Sequence, residues 1–245
     1  VRFHTVYWPA FLMSAGLPLP RQVFGHGFLL NRGEKMSKSL GNVVDPMTLA
    51  EQFGVDALRY YLLREVSFGQ DGSYSAEAIV RTANADLANS FGNLAQRILS
   101  MIFKNLGGEL APNIEIHAQD IAVLEQVAQV ANFDLPESFE NLAFSIGIES
   151  WIRAVFACNQ YVDTQAPWAL RKTDPERMRA VLMTLFQAVR TLAIAIRPVV
   201  PSAADALLDQ MGIADDARDF AALADTEWFA KLAASGFAVG QPVPI

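Results

Sequence analysis

Gly33-Glu34-Lys35-Met36-Ser37-Lys38-Ser39-Leu40-Gly41 is the stretch that decides what kind of fold this chain carries. Two lysines stand three apart among small hydroxyl residues, with a glycine at either end. That composition suits a flexible loop closing over a polyphosphate. A lysine ammonium is a compact point charge on a long stem, fit for phosphate where two-pronged recognition is not needed. Serine hydroxyls donate to phosphate oxygens or cap a following helix, and the glycines let the backbone bend. The same residues in another order would read as a solvated charged loop; here the order carries the information.

In that order Lys35 to Ser39 resemble, letter for letter, the signature loop of class I aminoacyl-tRNA synthetases. The resemblance implies ATP, with Mg2+, as a substrate. It also implies a loop that steadies the triphosphate while an amino-acid carboxylate attacks the α-phosphate. Fixed cations would oppose the charge that builds on the departing pyrophosphate. Lys38 is expected to be the main ATP contact and Lys35 to assist. Ser37 and Ser39 would shape the loop, with His26 of the Gly25-His26-Gly27-Phe28 lead-in beside the nucleotide.

Three further stretches resemble methionyl-tRNA synthetases. Phe3-His4-Thr5-Val6-Tyr7-Trp8-Pro9 resembles the helix that helps wall the methionine pocket, which implies Phe3, His4 and Tyr7 as methionine contacts. Aromatic walls suit a polarisable thioether, although Phe3, Tyr7 and Phe11 recur at helical spacing and also read as a plain core stripe. Asn93-Leu94-Ala95-Gln96-Arg97 and Gln165-Ala166-Pro167-Trp168 resemble the two places that meet the anticodon. Asn93 and Arg97 are four apart and project side by side from a helix. Asn offers a donor and an acceptor to a base edge, and Arg a planar fork to base or phosphate. Trp168, followed by Arg171-Lys172, offers a stacking platform of the kind that reads splayed bases. The alternatives are a buried anchor for Trp168 and a surface ion pair for Arg97.

Composition narrows the class. An apolar fraction of 52% is ample for a packed core and argues against disorder. The net charge of −7 speaks against indiscriminate nucleic-acid binding, so tRNA must be held at local basic patches. One cysteine and three scattered histidines exclude a disulfide framework and a four-ligand zinc site, so no metal site is expected. Charges, prolines or glycines interrupt every apolar stretch before the ~18 residues of a membrane span. A cytoplasmic protein with no membrane partner is the natural reading. Cys158 and Trp151 read as core, and His117 as a solvated linker residue.

The fold expected is mainly α, in two parts. Residues 1–72 would be the C-terminal remnant of a Rossmann-type α/β catalytic domain, with a strand over 22–30 before the lysine loop. Asp45-Pro46 opens a helix that Gly54 ends, and Asp56-Ala57-Leu58-Arg59 begins another that resembles the family's link to its anticodon domain. Residues 73–245 would be an antiparallel, anticodon-binding helix bundle with a C-terminal tail. Its helices are expected over about 76–104, 119–132, 139–162, a short turn from Pro167, 175–197 and a final one to Gln210, with a polar linker to Ala118 and a loop over 134–138. The chain starts in mid-pattern and lacks the His-x-Gly-His motif that grips ATP in this class, for which Gly25-His26-Gly27 is no substitute. It is therefore expected to be a C-terminal portion that needs an N-terminal half. The reading is a methionine–tRNA ligase acting on methionine, ATP and tRNA(Met). The alternatives are a non-catalytic tRNA-binding module, or a class I synthetase for another apolar amino acid.

Overall fold

The computed structural model describes residues 2–110 and 115–245, so residue 1 and part of the polar linker lie outside the described residues. A helix opens the chain, π-wound over Phe3–Tyr7 and α-helical as α1 over Trp8–Ser14. A small sheet follows: β1 (Leu29–Asn31) lies between antiparallel β2 (Glu34–Lys35) and parallel β3 (Gly72–Tyr74). The strand expected over 22–30 is shorter than read, because only 29–31 find neighbouring strands to bond.

Between β1 and β3 run α2 (Pro46–Phe53) and α3 (Val55–Glu65). Asp45 caps α2 as its sequence foretells, accepting from the Met47 and Thr48 amides. Helix α3 is shared by two cores. Leu58 and Tyr61 pack with Leu49 and Ile79 in a small cluster under the sheet. Tyr60 points the other way, edge-on to Trp151 in the main bundle core.

The bundle begins at α4 (Ala76–Thr82) and continues through a π-helical stretch, Ala83–Gly92, into α5 (Asn93–Leu106). The continuous α-helix expected there is thus widened over ten residues, where Ser90 donates its hydroxyl proton to the Ala85 carbonyl five residues back. Gly107, at φ 65°, stops it. Then come α6 (Ala118–Gln129), a π-turn over Val130–Asp134 and α7 (Leu135–Glu140). The loop expected over 134–138 is helical instead. Pro136 sits in the first turn, where its missing N–H costs nothing, and the break falls at 141–143 with Leu142 at φ 59°.

Helices α8 (Phe144–Gln165), α9 (Pro167–Thr173), α10 (Pro175–Ile196) and α11 (Pro201–Gln210) complete the bundle. Each of the last three opens on its proline. Helix α10 is long and apolar enough to cross a membrane by length and composition, but most of it is buried at the centre of the bundle. Trp151 of α8 is fully buried and donates its indole N–H to the Leu192 carbonyl (3.0 Å). The chain does not end its helices at Gln210: α12 (Trp228–Ala234) follows, and Trp228 stacks on Phe186. That helix was hidden among alanines and acidic residues with no proline or capping box to announce it.

Candidate functional site

The lysine segment is a tight hairpin running into a single turn. Leu30 pairs with Lys35 and Asn31 with Glu34, while Arg32 (φ 52°) and Gly33 (φ 80°) turn the chain. Positive φ at both central residues is what a two-residue hairpin loop between twisted strands requires. Lys38–Leu40 form one 3₁₀ turn, ended by Gly41 at φ 64°.

Asn42 ties this segment together. Its side-chain carbonyl accepts from the Ser37 amide (2.8 Å), and its amide group donates to the Lys35 carbonyl (3.1 Å). Its own backbone carbonyl accepts from the Asn31 side chain (2.8 Å). The Asn42 side chain therefore closes the stretch from Lys35 to Asn42, and the Asn31 side chain anchors it to β1. The Ser37 and Ser39 hydroxyls bond to each other at 2.7 Å. The Lys35 ammonium lies 4.4 Å from the Phe28 ring centroid, a cation–π contact. Lys38 is exposed and has no acidic partner among the described residues. His26 is exposed, with Nδ1 2.8 Å from the Gly27 carbonyl and its ring against Phe68.

The N-terminal helix pairs Phe3 with Tyr7 (5.6 Å between rings) and His4 with Trp8 (6.4 Å). Phe3, His4 and Tyr7 are all exposed, so they are not core in this chain, and they make no hydrogen bond or ring contact with the lysine hairpin.

In the bundle, Asn93 and Arg97 project from α5, and Arg97 lies beside Trp168 of α9. The Arg97 guanidinium lies 5.7 Å from the Trp168 ring centroid and is held there by a 2.8 Å bond to Asp163 at the end of α8. Trp168 is 52% exposed, so the ring is not a buried anchor, while Arg97 does form the surface ion pair that is its alternative reading. The Trp168 ring is presented by a sharp corner: Ala166 takes a left-handed conformation (φ 44°, ψ 57°) between α8 and α9, and Pro167 starts the next helix. Asn93 is exposed one turn before Arg97, and Arg171 and Lys172 sit exposed in the last turn of α9.

Below that surface lies a buried ion pair. Asp120 is fully buried and takes both guanidinium arms of Arg177 (2.5 and 2.7 Å), the Tyr161 hydroxyl and the His117 amide. Burial alone pushes its carboxyl up, but these bonds more than offset that and hold it below its ordinary value.

Structure thus brings Arg97 to Trp168, and Lys35 and Lys38 onto one hairpin. It leaves the Phe3–Tyr7 helix apart from both. Two participants were missed by sequence reasoning, Asn42 and Asp163, and Phe28, quoted in the lead-in, was given no role. Only Asn42 left a trace, as the second residue of a Gly-Asn turn pair.

Residues 1–99 match the family described as class I tRNA synthetases (M), and residues 148–242 match the anticodon-binding domain of methionyl-tRNA ligase. The chain is 53% identical over 220 residues to the methionine–tRNA ligase of Mesorhizobium japonicum, covering 90% of this chain and 42% of that protein. It is 49% identical over its full length to that of Rhizobium meliloti, 46% of which it covers. The crystal structure of Mycobacterium tuberculosis methionyl-tRNA synthetase bound by methionyl-adenylate superposes with a TM-score of 0.86 at 46% identity. That match covers 99% of this chain and 47% of the other. The chain therefore spans a little under half the length of the relatives it matches.

Proposed function

Because the chain belongs to the methionyl-tRNA synthetase family, we propose that it supplies the lysine loop and the tRNA-reading bundle of a methionine–tRNA ligase. In this reading the protein activates methionine with ATP, held as its Mg2+ complex, and transfers it to tRNA(Met). It works in the cytoplasm together with an N-terminal half of the same enzyme. The observation that carries the reading is the lysine hairpin itself: Lys38 stands unpaired on a turn whose shape Asn42 fixes.

Lys38 would meet the charge that develops on pyrophosphate as its bond to the α-phosphate breaks. A cation without an acidic partner to leave is free to meet that charge. Lys35 would assist from the strand. The Ser37–Ser39 hydroxyl pair would open to offer its protons to phosphate oxygens, and His26 would flank the nucleotide. Phe3, His4 and Tyr7 would line the methionine pocket from their exposed helix, opposite walls coming from outside this chain.

For tRNA, Asn93 and Arg97 would read base edges while a base stacks on Trp168. A boundary near residue 72, with α3 reaching across it, belongs to the same proposal. The test is amino-acid-dependent ATP–pyrophosphate exchange by the full-length protein. Methionine should support it and leucine, valine and cysteine should not; exchange with none of them would leave only a tRNA-binding module.

A further inference from the structure

A small cavity of about 210 Å³ opens between the end of α10, the turns after α11 and helix α12, far along the chain from the lysine hairpin. Its walls are mostly apolar: Ile213, Ala217, Trp228 and Leu232. Arg190 lines it although only 2% exposed. A guanidinium carries five N–H donors and cannot shed its charge in a protein. Here the hydrogen bonding reduces to one contact, Nη2 to the Ala222 carbonyl (3.0 Å), and the buried Nε meets no acceptor. The Trp228 ring faces the guanidinium at 4.3 Å, which compensates part of the charge. No carboxylate forms a salt bridge with Arg190 among the described residues: Asp225, nearest in effect, is engaged by Lys231 at 2.7 Å. Burial accordingly pushes the Arg190 guanidinium down to about 10. A buried cation whose nearest carboxylate, Asp225, is bonded to Lys231 and forms no salt bridge with it is costly, and an anionic occupant would relieve that cost.

We propose that this cavity binds a small monocarboxylate with a short apolar chain, the carboxylate taken by Arg190 and the chain laid against Trp228 and Leu232. The volume suits that class. At ~30 Å³ per water-sized position it holds about seven, which is less than a drug-sized ligand occupies. The charge suits it too. Asp216, Asp225 and Lys231 stand on the same rim, two acids against one base, so a dianion such as phosphate is repelled more than a single carboxylate, whose apolar chain also has an apolar wall to meet.

Isothermal titration of the full chain with valerate tests this, with valeramide (the same chain without the charge) and inorganic phosphate as companions at matched ionic strength. The expected result is saturable binding of one valerate per chain, with a change in tryptophan fluorescence. Valeramide should bind at least about tenfold more weakly, since a hydrogen bond to a charged group contributes at least that factor, and phosphate should also bind more weakly than valerate, having no apolar chain to lay against Trp228 and Leu232. Arg190→Gln should weaken valerate to the same degree. Ala214→Leu, which narrows the cavity from an exposed position and leaves Arg190 in place, should abolish binding, and it decides the matter if Arg190→Gln does not fold. Absence of saturable valerate binding, equal affinity for valeramide or phosphate, or unchanged binding by a folded Ala214→Leu protein would each overturn the assignment.

Discussion

Asp56 and Arg59, one turn apart on α3, hold the two sides of the corner between α10 and α11. The Asp56 carboxylate accepts from the Ala203 amide in the first turn of α11 (2.7 Å), and the Arg59 guanidinium donates to the carbonyls of Pro198 (2.6 Å) and Val199 (3.0 Å) just past α10. An acid thus meets a helix start and a base meets a helix end, each the charge that the helix dipole favours. The Asp-Ala-Leu-Arg stretch acts as a staple between the connector and the bundle. Asp56→Ala should cost about 1 kcal/mol, as loss of a helix cap does. Urea unfolding will show it, and the double variant Asp56→Ala/Arg59→Ala should fall short of additivity because both residues brace one corner.

Lys38→Ala should lower methionine-dependent ATP–pyrophosphate exchange by roughly 10²- to 10³-fold, the range for removing one preorganised charge-stabilising group. Asn42→Ala should lower kcat with a smaller change in the KM for ATP, because Asn42 shapes the loop without touching the phosphates. Circular dichroism should be unchanged for both. Exchange at the wild-type rate by Lys38→Ala would remove the loop from the mechanism.

Trp168→Ala should weaken tRNA binding by about 1–3 kcal/mol, the range for one stacked base, and leave ATP–pyrophosphate exchange intact. Filter binding at fixed salt, run beside the exchange assay, separates the two. Parallel loss of both activities would mean that Trp168 supports the fold.

Arg177→Leu removes one member of a buried pair and should cost about 3–5 kcal/mol. The pH dependence has a defined sign. Asp120 is held below the ordinary carboxylate value in the folded chain, so its contribution is complete above about pH 4, the unfolded value, and is lost as pH falls through the lowered one. Without Arg177 the carboxyl rises, and the acid-unfolding midpoint, followed by tryptophan fluorescence, should move to higher pH.

The helices were legible where the chain punctuates itself. Asp45-Pro46, Pro167, Asp174-Pro175, Pro201 and Gly107 each mark a boundary found within a residue or so of where local chemistry puts it. The errors came where partners far along the chain decide. Residues 22–28 read as a strand but have no neighbouring strand to bond, and Pro136 reads as a break but falls where a helix tolerates it. The site shows the same division. Lys35 and Lys38 were visible because their order alone is informative. The bond from Arg97 to Asp163 was not, since 66 residues separate the two and nothing near either one signals the other.

The double allegiance of α3 has a consequence for how the molecule comes apart. Tyr60 sits edge-on to Trp151 on one side, and Leu58 and Tyr61 rest on Leu49 and Ile79 on the other. Melting the sheet region alone would pull Tyr60 away from Trp151, so heat should disassemble both regions in one concerted transition, with the loop segment never outliving the bundle it helps to close.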